Sequence, residues 1–126
     1  MPLASGTFDV KLNPQPTDAP IGRMSLDKVF KGDLDGTSKG EMLAVRSAMA
    51  GSAGYVALEK VTAMLGGKTG EFFLQHNGLM DRNTPSLTVI VVPDSGTREL
   101  TGLTGTMTID IKDGKHFYAF NYSLGK

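Results

Sequence analysis

The chain contains no cysteine. That excludes disulfide staples, thiolate metal sites and cysteine nucleophiles together, and it fits a reducing compartment. Excess charge of either sign is also missing, because 13 Lys plus Arg balance 13 Asp plus Glu. Without a basic field nothing neutralises phosphates, so nucleic acid is not an expected partner. No apolar run approaches the length of a membrane span, and residues 1–6 carry neither the basic nor the apolar region of an export signal. The expected location is therefore the cytoplasm, with no membrane partner. A sustained 3.6-residue period is absent too. The best helical candidate, Glu41–Met49, is interrupted by Ala50–Gly54 and fits a strand plus turn as well.

What the chain does have is alternation. Apolar and polar residues alternate in run after run, and turns drawn from 16 glycines separate the runs. At 126 residues the chain is long enough for one domain, 1–126, with a single core. Eight strand-like segments stand out, near Thr7–Leu12, Arg23–Leu34, Thr37–Arg46, Gly54–Leu65, Thr69–Met80, Ser86–Val92, Thr104–Ile111 and Lys115–Leu124. Pro14–Ile21, with Pro14, Pro16 and Pro20, reads as an extended loop.

The turns predict register. Asp113-Gly114 suits a two-residue hairpin whose central positions both need positive φ. Lys112 then faces Lys115, Ile109 faces Tyr118 and Met107 faces Phe120, and this apolar face points inward with His116 and Tyr122. Closing Asp81–Thr84 with Met80 opposite Pro85 turns Leu74 and His76 inward beside Val89 and Val91. At Gly66-Gly67-Lys68 two turns are open. One sets Glu59 opposite His76, the other makes them diagonal neighbours, and both turn Tyr55 and Glu59 inward. Asp35-Gly36 predicts the remaining hairpin, with Leu34 opposite Thr37 and Lys28 facing Leu43 with Glu41 diagonal to it. Eight such strands close into an all-β, antiparallel, up-and-down barrel, whose interior is either filled by side chains or holds one small ligand.

Several stretches carry a resemblance. They are Asp27-Lys28-Val29-Phe30-Lys31-Gly32-Asp33-Leu34, Lys39-Gly40-Glu41-Met42-Leu43, Gly54-Tyr55-Val56-Ala57-Leu58-Glu59, Phe73-Leu74-Gln75-His76, Val91-Val92-Pro93-Asp94-Ser95-Gly96-Thr97 and Gly114-Lys115-His116-Phe117-Tyr118. Together they resemble a family of small bacterial proteins of unknown function whose fold is similar to the allene oxide cyclase-like barrels. The resemblance implies an eight-stranded barrel and transfers no catalytic residues. Allene oxide cyclases bind an apolar, fatty-acid-derived substrate in such a barrel, which bears on this chain by fold analogy only.

The inward polar residues are the candidate site. Glu59 and His76 are the catalytic candidates, since a carboxylate beside an imidazole in an apolar barrel can move a proton. Desolvation would push the Glu59 pKa up and the imidazole would moderate that rise. The competing reading is a buried pair that only satisfies itself. Lys28, Tyr55, His116, Tyr118 and Tyr122 are the ligand-binding candidates. Lys28 better suits a stem packed at the barrel mouth with its head in water, because a buried unpaired Lys is rare, and the tyrosines equally suit ring filling. His76 and His116 match no metal motif, so no metal and no cofactor is expected. Asp94-Ser95-Gly96-Thr97 has the form of an aspartic-protease tetrapeptide but no second half, and reads as a turn with Asp94 capping its own backbone. Gly67-Lys68-Thr69 lacks the first glycine and the following helix of a phosphate loop. Phe73 and Leu79 point outward, which leaves a homo-oligomer open. Three functions remain: binding of a small apolar molecule, cofactor-independent isomerisation or cyclisation through Glu59 and His76, and a structural or assembly module with a filled barrel.

Overall fold

Every alternating run becomes a strand of one closed sheet in the computed structural model, which describes residues 3–16 and 20–124. The strands are β1 (Leu3–Gln15), β2 (Gly22–Gly32), β3 (Leu34–Arg46), β4 (Ala53–Leu65), β5 (Lys68–Asp81), β6 (Thr84–Val91), β7 (Thr104–Lys112) and β8 (Lys115–Ser123). Each pairs antiparallel with the next, and β1 closes the barrel on β8 from Leu3 opposite Asn121 to Phe8 opposite His116. A short 3-10 turn, Arg98–Leu100, is the only helix among the described residues. The ambiguous Glu41–Met49 stretch is strand as far as Arg46.

Three of the hairpins follow the turn chemistry. Lys112 faces Lys115 across Asp113 and Gly114, at φ 51° and 78°. Met80 faces Pro85 across Arg82 and Asn83, at φ 48° and 73°. Gly66 and Gly67 form the third turn, so Leu65 faces Lys68, Glu59 faces Leu74 and His76 faces Ala57. Of the two turns left open by the sequence, this is the one that makes Glu59 and His76 diagonal neighbours.

The β2–β3 hairpin departs from expectation. The chain reverses around Asp33, not at Asp35-Gly36, so Phe30 faces Gly36 and Lys28 faces Ser38 instead of Leu43. This slip inverts β3. Ser38, Gly40 and Met42 point inward, while Glu41 points out and pairs with Arg23 at 2.8 Å. The cause is tertiary. Gly32 adopts φ 110°, and the reversal is bound to β1 by Asp33 N–H to the Ser5 carbonyl (3.1 Å) and Ser5 N–H to Asp33 Oδ2 (3.0 Å). The Tyr118 hydroxyl fixes it from β8, accepting from Leu34 N–H at 2.8 Å and lying 3.0 Å from the Leu34 and Lys31 carbonyls. Together these outweigh a local Asp-Gly preference. The proline segment departs as well, since Pro14 and Gln15 extend β1 opposite Met24 and Arg23. Residues 17–19 of that expected loop lie outside the described residues.

The interior divides into two halves. At one end Phe30, Phe72, Phe120, Leu34 and Leu65 are fully buried, with the Phe72 and Phe120 rings stacked 6.0 Å apart. The segment after β6 seals this end. Thr97 exchanges hydrogen bonds with Glu71, Phe73 N–H donates to Ser95 Oγ, and Leu100 and Leu103 join the core. Ser95 also donates to the Val92 carbonyl at 2.7 Å, so Ser95 caps this turn where the sequence suggested Asp94. Each large side chain buried here contributes about 1.5–3 kcal/mol. The other end is the mouth, and β6 and β7 share only two residue pairs, Val89 with Met107, both in the core, and Ile90 with Thr106.

Candidate functional site

The inward positions of β2, β3, β4 and β5 converge on one carboxylate. Glu59 is 1% exposed, and around it Ser38, His76 and Lys28 are 2%, 4% and 5% exposed. Lys28 Nζ donates to Glu59 Oε2 at 2.8 Å, and His76 Nε2 meets the same oxygen at 2.5 Å. Ser38 Oγ donates to Oε1 at 2.5 Å. Register explains the convergence. Lys28 and Ser38 are cross-strand partners, Glu59 lies diagonal to Ser38 across β3 and β4, and His76 lies diagonal to Glu59 across β4 and β5.

Burial disfavours charge on Glu59. The His76 hydrogen bond, the Lys28 charge and hydrogen bond, and the Ser38 hydroxyl together outweigh that penalty and hold the carboxyl down at about 2. This reverses the rise expected from desolvation moderated by His76 alone, because Lys28 and Ser38 are partners of Glu59 as well. Ser38 was missed outright, since the expected β3 register faced it outward. The Gly32–Leu34 stretch was the available clue, because placing a turn glycine at 32 restores the observed parity.

Above the cluster the barrel is open. A cavity of about 280 Å³ is lined by Lys28, His76, Tyr55 and His116 among Phe8, Val10, Leu26, Met42, Ala57, Leu87 and Ile109. It adjoins a second space of about 440 Å³ at the mouth, with which it shares Met42, Tyr55 and Leu87. The Tyr55 ring lies across Gly78 of β5, where an added Cβ would stand 2.2 Å from its Cε1, and its centroid is 6.3 Å from that of His76. Burial, and then the Glu59 charge, push the Tyr55 phenol up, which keeps its O–H in place. His116 stacks on Phe8 at 5.0 Å between centroids. Lys28 Nζ sits over the faces of Phe8 and Phe30, 4.8 and 5.7 Å from their centroids.

The remaining two candidates are elsewhere. The Tyr118 hydroxyl belongs to the β2–β3 reversal, and burial is the main cause of its raised pKa. Tyr122 lies towards the sealed end, stacked on Phe120 at 5.5 Å. The structure therefore brings together Lys28, Tyr55, Glu59, His76 and His116, and leaves Tyr118 and Tyr122 apart from them.

The family described as Protein of unknown function (DUF3224) matches residues 4–122. The chain belongs to the DUF3224 family. It is similar to a DUF3224 protein of unknown function from Shewanella oneidensis MR-1, solved by crystallography. That chain is 49% identical with a TM-score of 0.94, over 98% of this chain and 96% of that one. No curated protein matches. An eight-stranded barrel of the DUF3224 family is thus what the alternation encodes.

In this DUF3224 barrel Glu59 is screened from the cavity, whose lining includes Lys28 and His76 but not Glu59. A molecule in the cavity would touch the imidazole, with the carboxylate behind it as the orienting group. Among the described residues no three His, Asp or Glu side chains gather to hold a metal. The cluster's charges are instead matched internally, Lys28 against Glu59.

Proposed function

We propose that the protein binds a small, mostly apolar molecule in the open half of its barrel. The observation that carries this reading is the division of the interior. One half is packed with Phe30, Phe72 and Phe120, while the other leaves about 280 Å³ between apolar walls with a few polar groups at its floor. Ligand sites have this composition, with apolar lining and a small number of placed polar groups. A filled-barrel structural module accounts for the sealed half alone. Titration with the neutral fluorescent probe N-phenyl-1-naphthylamine tests the reading. Saturable binding of one probe per chain, lost in Leu87→Trp, is expected. An absence of saturable binding in the unsubstituted protein refutes it.

The cofactor-independent isomerase or cyclase is a second reading, favoured by the buried carboxylate behind a cavity-lining imidazole. In it His76 carries the proton and Glu59 is the positioning residue. The chemistry predicts deuterium exchange into the α-carbon of a neutral ketone such as 4-phenyl-2-butanone, abolished in His76→Gln. Exchange no faster than in buffer removes this reading and leaves the binding reading intact.

A further inference from the structure

We propose that the cavity selects neutral molecules bearing a hydroxyl group, and that this O–H donates to Nδ1 of His76. The inference rests on the ligand-binding reading above and names its chemical class.

Glu59 Oε2 receives both Lys28 and His76, and Glu59 Oε1 receives Ser38. An ionised carboxylate only accepts hydrogen bonds, so His76 Nε2 must carry a proton. Lys28 already neutralises Glu59, and a second positive charge on the imidazole would leave a net charge buried beside apolar walls. A neutral ring with its proton on Nε2 has a lone pair on Nδ1. Nδ1 makes no hydrogen bond with the described residues, and no described polar atom is both sealed from solvent and unpartnered. His76 lines the cavity, so Nδ1 opens into it as an acceptor in search of a donor.

The neighbouring groups narrow the donor. Tyr55 lines the same cavity with its ring 6.3 Å from that of His76, and its hydroxyl is likewise without a hydrogen-bond partner among the described residues. A hydroxyl both donates and accepts, so one such group can give its proton to His76 and receive that of Tyr55. A carboxylate, ketone or ether has no proton for Nδ1 and would desolvate the lone pair without replacing its water. Among the described residues that line this cavity an anion also finds no uncommitted Lys or Arg, because Lys28 is committed to Glu59 and to the ring faces of Phe8 and Phe30. A cationic amine would meet the Lys28 charge.

Competition against N-phenyl-1-naphthylamine with 4-ethylphenol, 4-ethylanisole and ethylbenzene tests the inference on the full chain. The phenol should bind about tenfold or more tightly than the other two, which lack the donor. In His76→Phe that preference should fall to within about twofold. Equal affinities in the unsubstituted protein, or a preference that survives His76→Phe, overturn the proposal without touching the binding reading. Failure of all three compounds and of the probe to bind removes both. Should His76→Phe not fold, ¹⁵N spectra of the unsubstituted protein decide. The His76 Nδ1 resonance should move with 4-ethylphenol and not with ethylbenzene, and no difference between the two overturns the proposal.

Discussion

Glu59→Gln separates the charge of the buried carboxylate from its shape. The Glu59 pKa falls from the ordinary 4.5 to about 2 in the fold. Each unit is worth about 1.36 kcal/mol, so keeping Glu59 ionised contributes roughly 3 kcal/mol to folding at neutral pH. Because the folded value lies below the unfolded one, this contribution is complete above the unfolded value. It is lost as pH falls through the folded one, in the window from about pH 5 to about pH 2. Glutamine keeps the volume and hydrogen-bonding capacity but has no charge to lose, and it leaves Lys28 buried without its counter-ion. At pH 7 the variant should therefore be less stable by about 3–5 kcal/mol, a large share of a total stability of about 5–15 kcal/mol. The gap should narrow by roughly 3 kcal/mol on going to pH 2, because only the parent protein loses the Glu59 contribution. Glu71 and Glu99 also have lowered pKa values, Glu71 chiefly through a hydrogen bond from Thr62 and Glu99 chiefly through one from the Thr69 backbone. Both are present in parent and variant alike, so they cancel in the comparison. Urea unfolding followed by circular dichroism at pH 7, 5, 3.5 and 2 reads the effect in a chain that has no tryptophan. A gap that stays constant across this range refutes the electrostatic account of the cluster. A gap that widens as pH falls would mean that Glu59 is protonated at neutral pH.

Lys28→Met should cost about 3–5 kcal/mol, since it strands a buried carboxylate, and adding Glu59→Gln to it should recover much of that loss in a double-mutant cycle of urea midpoints. Tyr118→Phe removes the hydroxyl that holds Leu34 and Lys31, leaving the buried Leu34 N–H unsatisfied. It should cost about 1–3 kcal/mol in thermal unfolding with probe affinity unchanged, and altered probe affinity would instead link Tyr118 to the cavity.

Legibility in the sequence followed the range of the forces involved. Hairpins whose register is set by two adjacent residues at positive φ, such as Asp113 with Gly114, could be counted out residue by residue. That alone turned Glu59, His76, His116 and Tyr55 inward. The β2–β3 reversal could not be counted out, because its determinants lie 28 residues away at Ser5 and 84 away at Tyr118. Misplacing it hid Ser38 and set Lys28 opposite the wrong residue of β3, Leu43 in place of Ser38. The direction of the Glu59 shift was lost with it, since desolvation alone pushes upward and only the assembled partners reverse the sign. Strand β1 was read short at its N-terminus for a similar reason. Ala4, Ser5 and Gly6 have little strand preference and are held by closure onto β8.

The division of the barrel into a packed half and a receptive half is tested most directly by mapping where a small neutral molecule goes. Amide spectra recorded during titration with N-phenyl-1-naphthylamine should show saturable shifts centred on Lys28, Tyr55, Ala57, His76 and Leu87, with Phe72, Leu100 and Phe120 undisturbed. Shifts confined to outward residues such as Leu43, Val56 and Leu79, or no saturable shifts at all, would contradict it.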